Sequence, residues 1–121
     1  MKTSTTDIVK ETSFRVERRK DGAAILWMDL PGKKVNTLSI ELMDEFSRVF
    51  DELERDASVK AVVFASAKED SFIAGADIEM LRRMESAEQA AVLSTKAQAA
   101  MGRIEAMNKP VVAAVHGACL G

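Results

Sequence analysis

The feature that most restricts the possible folds is a pair of short apolar runs, A-V-V-F-A at residues 61–65 and V-V-A-A-V at residues 111–115. Each run is too short for a helix and rich in Val, and therefore predicts a strand that is buried on both faces. Before the first run, Leu42, Phe46 and Val49 recur at helical spacing and indicate an amphipathic helix. Strand, helix and strand in this order are typical of a parallel sheet, so we expect an α/β fold.

An N-terminal β-hairpin is predicted ahead of this unit. Residues 14–18 alternate apolar and polar side chains, Asp21-Gly22 is a tight-turn dipeptide, and residues 23–30 are nearly all apolar. We expect Trp27 to lie in the core. Pro31-Gly32 ends the second strand and opens a short loop at residues 33–38. Residues 1–12 are rich in Thr, Ser and charge and predict a flexible tail.

Three helices are predicted from their capping residues. Ser39 should cap a helix that ends near Asp56, and Asp77 should cap a short helix that runs to about Met84. Ser86 and the Gln three residues later form a capping box that opens a longer helix. The apolar face of this third helix comprises Leu93, Ala97, Met101, Ile104 and Met107. The methionines of these helices are expected to be core residues, with a role in lining an apolar ligand pocket as the alternative.

Composition excludes several classes of function. The chain has 17 Lys and Arg against 19 Asp and Glu, so it lacks the basic surface that nonspecific nucleic-acid binding requires. With a single Cys and a single His, we expect no disulfide and no metal site, and we interpret Cys119 as a small buried thiol and His116 as a structural residue. The apolar runs are far shorter than the roughly 20 residues of a membrane span. We therefore expect no transmembrane segment and an intracellular protein.

Two turns of small residues are candidate ligand sites. They are F-I-A-G-A-D-I at residues 72–78 and H-G-A-C-L-G at residues 116–121. Small side chains let a ligand approach the backbone, and free N–H groups at such turns can bind an anion or a developing oxyanion. The carboxyl ends of parallel strands are also where ligands bind in α/β sheets. On physical grounds alone, ordinary turn chemistry is the more frequent explanation of such residues.

Three motifs resemble the crotonase (enoyl-CoA hydratase) family. Residues 73–78 are similar to its A-G-A-D-[IL] signature, and residues 31–38, P-G-K-K-V-N-T-L, resemble its first coenzyme A (CoA) loop. Residues 109–121, K-P-V-V-A-A-V-H-G-A-C-L-G, resemble the run that ends in its G-G-G motif. The resemblance covers residues 13–121 and implies the first half of a ββα spiral. We therefore predict that residues 13–121 form the N-terminal part of a crotonase-like domain.

The resemblance also implies roles for individual residues. It makes the backbone N–H of Ala76 one of two donors to the thioester oxygen. It assigns the other donor and the two catalytic glutamates to positions after Gly121. The residues implied to contact CoA are Lys33, Val35, Thr37, Ala74, Ala76, Asp77 and Ile78. On composition alone, Lys33 is equally well explained as a solvated loop residue. Gly32, Thr37 and Glu79 depart from the family's commoner Pro, Ala and Lys.

Within the family, the segments V-N-T-L-S and F-I-A-G-A-D-I most resemble the sequences of the multifunctional α-subunits of fatty acid β-oxidation. That likeness implies hydration of 2-enoyl-CoA to 3-hydroxyacyl-CoA without a resident cofactor; NAD is implied only if a dehydrogenase domain follows. It implies an acyl-CoA substrate, and a homo-oligomer or a thiolase β-subunit as partner. The location would be the bacterial cytoplasm, or the mitochondrion in a eukaryote.

Alternatives to this function stay open. One is another crotonase-type reaction, such as isomerisation or thioester hydrolysis, and another is a non-catalytic acyl-CoA-binding or assembly module. We expect the 121-residue chain by itself to be inactive. We also expect it to be incompletely folded or self-associated, because nothing in the sequence follows the strand at residues 111–115 to cover it.

Overall fold

The computed structural model describes residues 12–121, so the predicted flexible tail lies outside the described residues except for Thr12. Its elements, in chain order, are β1 (Phe14–Arg18), β2 (Ala23–Met28), α1 (Ile40–Arg55), β3 (Ala61–Ser66), β4 (Ser71–Ala74), α2 (Ile78–Arg82), α3 (Ala87–Glu105), β5 (Val111–Ala114) and β6 (Ala118–Leu120). The predicted α/β class is confirmed. Among these residues, no helix is both long and apolar enough to cross a membrane.

The main sheet has the strand order β1-β2-β3-β5. Strands β1 and β2 form the predicted antiparallel hairpin, with Phe14 opposite Met28 and Arg18 opposite Ala24. Gly22 adopts a φ of +96° in the connecting turn, which only glycine tolerates well. Strands β3 and β5 then add in parallel to β2 and to each other. The carboxyl ends of β2, β3 and β5 therefore lie at one edge of the sheet.

A second, two-stranded sheet was not predicted. Strand β4 pairs in parallel with β6, where we expected a loop and a turn of small residues. Both strands are too short, and too rich in Ala and other small residues, to show an alternating pattern. Their stability comes from pairing between residues far apart in the chain, such as Ala74 with Leu120. Local sequence patterns carry no information about such pairs.

The two sheets give the chain a repeating course. A strand of the main sheet is followed by an extended segment at the second sheet and then by a helix. Strand β2, residues 36–38 and α1 make the first turn, and β3, β4 and the pair α2–α3 make the second. Strands β5 and β6 begin a third turn. This course is the ββα spiral expected from the sequence.

The core lies between the main sheet and helices α1 and α3. Its central feature is a chain of aromatic rings whose centroids lie 4.3–6.4 Å apart, formed by Phe14, Phe46, Phe50, Phe64 and Phe72. Helix caps match the predictions: Ser39 Oγ accepts from the Leu42 N–H at 3.2 Å, and Ser86 Oγ accepts from the Gln89 N–H at 3.1 Å. Helix α2 begins after Asp77 as expected but ends at Arg82, two residues early.

Several burial predictions were wrong. Trp27 is half-buried on the outer face of β2, where its Nε1 donates to Glu17 Oε1 at 3.0 Å. Cys119 is exposed, and so is Met101 of the third helix. Strand β5 is exposed along most of its length rather than buried on both faces. Apolar patterns identify residues that favour burial, but they do not tell which neighbour covers them.

Candidate functional site

The two motif loops meet along a short stretch of paired backbone. The Ala74 N–H donates to the Asn36 carbonyl at 2.8 Å, and the Leu38 N–H donates to the Gly75 carbonyl at 2.8 Å. The Asp77 N–H in turn donates to the Leu38 carbonyl at 2.9 Å. This parallel pairing places the loop at residues 33–38 directly beside residues 74–77, so the first and second turns of the spiral share one site.

Ala76 occupies a special position in this pairing. Ala76 is paired with Leu38, and the two hydrogen bonds of this pair use the Gly75 carbonyl and the Asp77 N–H. The N–H of Ala76 itself therefore points away from the loop. Among residues 12–121, the Ala76 N–H has no hydrogen-bond acceptor, and Ala76 is exposed. The preceding Gly75 has a φ of +92°, a left-handed conformation that the signature glycine makes possible. The arrangement leaves one fixed backbone donor open to a ligand.

The residues after Ala76 start a helix rather than a catalytic group. The Asp77 side chain caps α2, with Oδ1 accepting from the Glu79 N–H at 3.0 Å. Glu79 also pairs with Arg82 at 2.9 Å on the exposed face of α2. Ile78, the first residue of α2, is exposed to 64% of its area. Both carboxylates are therefore occupied by helix contacts.

A buried amide joins the strand ends beneath the site. The side chain of Asn36 has no exposed area. Its Oδ1 accepts from the Leu30 N–H at 3.1 Å, and its Nδ2 lies within 3.2 Å of the Met28 carbonyl, the Phe72 carbonyl and Ser66 Oγ. Asn36 belongs to the first CoA-loop motif, but no role was predicted for it. The strand-to-helix connection also contains Asp, Lys, Thr and Ser, so the local pattern did not mark Asn36 for burial.

The third turn of the spiral reaches the same edge. Strand β6 pairs with β4 so that Leu120 lies opposite Ala74, two residues before Ala76. The β5–β6 connection contains His116, whose Nε2–H donates to the Lys68 carbonyl at 2.8 Å. This contact agrees with a structural role for His116. The residues just before Gly121 therefore lie beside the open Ala76 N–H.

Residues 19–121 match the sequence profile of the family described as enoyl-CoA hydratase/isomerase. The chain belongs to this family. The match covers most of the chain.

Relatives and solved structures agree with this assignment. The chain is 49% identical over 111 residues to the fatty acid oxidation complex subunit alpha of Shewanella sp. strain ANA-3, which covers 92% of this chain and 16% of the relative. It is 48% identical to the subunit of the same name from Idiomarina loihiensis, again covering 16% of that protein. The chain thus spans about one sixth of the length of these relatives.

Solved hydratase structures superimpose on most of the chain. The enoyl-CoA hydratase of Mycobacterium smegmatis aligns with a TM-score of 0.77 and 30% identity, over 87% of this chain and 40% of that one. The Bacillus anthracis enoyl-CoA hydratase aligns with a TM-score of 0.80 over 88% of this chain and 40% of that one, and at 24% identity it supports the fold alone.

The structure brings together most of the residues that membership of the enoyl-CoA hydratase/isomerase family suggested. Val35 and Thr37 lie, half-buried, on the loop that pairs with residues 74–77, and Ala74 is half-buried within that pair. Lys33 lies at the start of this loop with an exposed side chain. All seven predicted contact residues therefore belong to the two paired segments or their immediate continuation.

An apolar cavity of about 40 Å³ lies behind the paired segments. It is enclosed between α1, α3 and the inner face of the main sheet, and its wall is wholly apolar. Leu38 and Ile73 form the side nearest the site, and Met101 and Ile104 form part of the opposite side. The cavity therefore borders the paired segments through Leu38 and Ile73.

Proposed function

We propose that this chain forms the CoA-thioester-binding part of an enoyl-CoA hydratase that acts on 2-enoyl-CoA in fatty acid β-oxidation. The observation that carries the proposal is the open N–H of Ala76, held in place by backbone pairing on both sides. Family membership supports the reaction class, and the names of the closely similar relatives support β-oxidation. An acyl-CoA thioester is the substrate class.

The geometry suits the charge that this reaction develops. Addition of water across the C2–C3 double bond of an enoyl thioester moves negative charge onto the thioester oxygen. A donor that is already fixed costs no reorganisation when that charge appears, and one such donor contributes about 10²–10³ in rate. Ala76 would supply that donor. The family resemblance assigns a second donor, and the two glutamates that deliver the elements of water, to positions after Gly121.

The CoA portion would lie along the paired segments. In this proposal the nucleotide end contacts Lys33, Val35 and Thr37, and the adenine and pantetheine groups lie around Ala74, Asp77 and Ile78. The exposed ammonium of Lys33 supports an anionic neighbour, because the side chain is free to reach a phosphate. The exposed Ile78 supports an apolar or aromatic contact, since ligand binding would cover it.

The wider setting of the proposal follows the relatives. Hydration needs no resident cofactor, and NAD would be required only with a fused dehydrogenase domain. The relatives are named as subunits of a complex, which supports an assembly with a thiolase β-subunit or a homo-oligomer. Their bacterial sources support a cytoplasmic location.

Replacement of Ala76 tests the proposed donor directly. In the full-length protein, Ala76→Pro removes the backbone N–H and should lower kcat for crotonyl-CoA hydration by about 10²-fold or more. Ala76→Ser keeps the N–H and should be far milder. Loss of the enoyl-thioester absorbance measures the reaction, and a 3-enoyl-CoA substrate separates hydratase from isomerase activity. Equal damage from both variants would contradict a backbone role.

Residues 1–121 on their own should not catalyse hydration. The Ala76 donor is present, but the second donor and both glutamates are assigned to later positions. Loss of a single oxyanion donor costs about 10²–10³ in rate, and loss of the general acid and base costs further factors. Crotonyl-CoA incubated with the purified chain should lose its absorbance at the uncatalysed rate. Clear turnover would show that the catalytic groups lie within these residues.

A further inference from the structure

A lysine outside the motifs holds the loop that bears Lys33. The side chain of Lys68, in the β3–β4 connection, is only 9% exposed. Its Nζ donates to the carbonyls of Leu30 and Lys33, each at 2.6 Å, and pairs with the Asp29 carboxylate at 2.6 Å. An ammonium has three donor hydrogens, so these three oxygens satisfy it completely.

The two carbonyls are the ends of one tight turn. Residues 30–33 have Pro at the second position and Gly at the third, and Gly32 has a φ of +69°. This is the arrangement of a type II turn. The turn's own hydrogen bond, from the Lys33 N–H to the Leu30 carbonyl, is long at 3.3 Å. The shorter bonds to Lys68 therefore do most to close the turn.

Lys68 is itself anchored to two strand ends. Its N–H donates to Ser66 Oγ at 3.0 Å, at the end of β3. Its carbonyl accepts from His116 Nε2 at 2.8 Å, just after β5. Ser66 Oγ also contacts the buried Asn36 amide at 2.9 Å. The turn at residues 30–33 is thus tied through one side chain to the rigid edge of the main sheet.

The buried Lys68 and the exposed Lys33 and Lys34 differ in what their charges can contact. The ammonium of Lys68 is buried against Asp29 and two carbonyls, and so has no hydrogen left for a ligand. Lys33 ends the turn and Lys34 follows it, and both are exposed. The position of their charges depends on the conformation of the turn, whose two end carbonyls accept from Lys68.

We infer that Lys68 is a positioning residue for recognition of the anionic nucleotide end of the CoA thioester. It acts by fixing the turn that presents Lys33 and Lys34, and it does not touch the ligand. This inference rests on the proposed function. It predicts an effect on substrates that carry the nucleotide and little effect on substrates that lack it.

A comparison of two thioester substrates tests the inference in the full-length protein. Lys68→Met should raise KM for crotonyl-CoA about tenfold, with kcat nearly unchanged, because the cost of ordering the loop moves into binding. With crotonyl-pantetheine, which lacks the nucleotide, the same variant should change kcat/KM less than about twofold. Lys68→Arg, which retains a buried cation, should restore part of the loss. Equal loss on both thioesters, or none, would overturn the inference.

Lys109 offers a matched control. Its Nζ also donates to two backbone carbonyls, those of Leu53 and Asp56, at 2.6 and 2.7 Å, but at the far end of α1. Lys109→Met should lower the melting temperature without changing the preference for the CoA substrate. If both variants shifted that preference equally, general destabilisation would explain the result and the inference would fail.

A readout without ligand separates this inference from the proposed function. Endoproteinase Lys-C should cut after Lys33 and Lys34 about tenfold faster in Lys68→Met than in Lys109→Met, because only the former frees the turn. Equal cleavage rates would overturn the claim that Lys68 holds the turn. Absence of turnover of either thioester by the wild-type protein would instead refute the proposed function, and the cleavage comparison would then decide the role of Lys68 alone.

Discussion

At the scale of single residues, the site depends on polar groups that solvent does not reach. Asn36 is fully buried and connects the backbone at the ends of β2 and β4 with a side chain at the end of β3. A backbone group that loses such a partner in the interior stays unsatisfied, at a cost of about 1–3 kcal/mol. Ala76, in contrast, keeps its donor open at the surface. The buried amide and the open N–H are therefore complementary: the first fixes the backbone that the second needs.

Asn36→Ala should strongly destabilise the full-length protein. The substitution removes the Asn36 partner of the Leu30 N–H and of the Phe72 carbonyl, leaves the Met28 carbonyl with only the Ala67 N–H, and opens a small cavity. We expect the free energy of unfolding to fall by about 3 kcal/mol. Asn108→Ala, at an exposed position after α3, should change it by less than about 0.5 kcal/mol. Urea denaturation measures both, and similar midpoints for the two variants would show that the Asn36 network contributes little.

At the scale of elements, the β5–β6 connection requires glycine for two reasons. Gly117 has a φ of +63°, which is unfavourable for other residues. A Cβ at this position would also lie 2.1 Å from the Asp70 carbonyl oxygen, much closer than any real contact. The backbone of Asp70 already accepts from the Ala118 N–H at 3.0 Å. The glycine thus permits the close approach that starts the pairing of β4 with β6.

Two glycine substitutions should change the free energy of unfolding in opposite directions. Gly117→Ala should lower the free energy of unfolding by about 2 kcal/mol or more, since it adds a clash to an unfavourable φ. Gly102→Ala places the same methyl group on the open face of α3, where nothing lies within 4 Å. It should raise stability by about 0.5–1 kcal/mol through helix propensity. Thermal denaturation of both variants checks the signs, and destabilisation by Gly102→Ala would contradict this explanation.

At the scale of the whole molecule, the third turn of the spiral exposes apolar surface. Val112, Val115 and Leu120 of the β5–β6 region are exposed to 60%, 54% and 62% of their areas. Val112 lies in β5 and Leu120 in β6, and Val115 lies in the connection between the two strands. Several large apolar side chains exposed within one short segment favour association.

Residues 1–121 on their own should therefore self-associate or bind hydrophobic dyes. We expect oligomers in sedimentation velocity, and strong dye fluorescence with a broad denaturation transition. Replacing Val112 and Val115 with Thr should reduce association, because it makes this surface more polar without removing β-branching. Replacing Val92, which is also exposed but lies on α3, gives a control. A monodisperse monomer with a sharp two-state transition would contradict the prediction and would favour a self-sufficient binding module.

The sequence by itself determined the features that depend on near neighbours. The caps at Ser39, Asp77 and Ser86 and the hairpin turn at Asp21-Gly22 were predicted correctly, because each involves groups within a few residues. The family motifs also led to the correct spiral and to the two segments of the candidate site. The roles proposed for Ala76 and the CoA-contact residues stay predictions until the experiments above are done.

Only the tertiary structure decided the features that depend on distant pairs. The β4–β6 sheet, the buried Asn36 amide and the Lys68 contacts join residues that are far apart in the chain. The outward position of Trp27 also depends on which face of the main sheet the helices cover. A residue's own chemistry sets its preference for burial or hydrogen bonding. The partner that satisfies that preference is set by how the chain brings strand ends together, because backbone pairing and burial are established between elements and not within them.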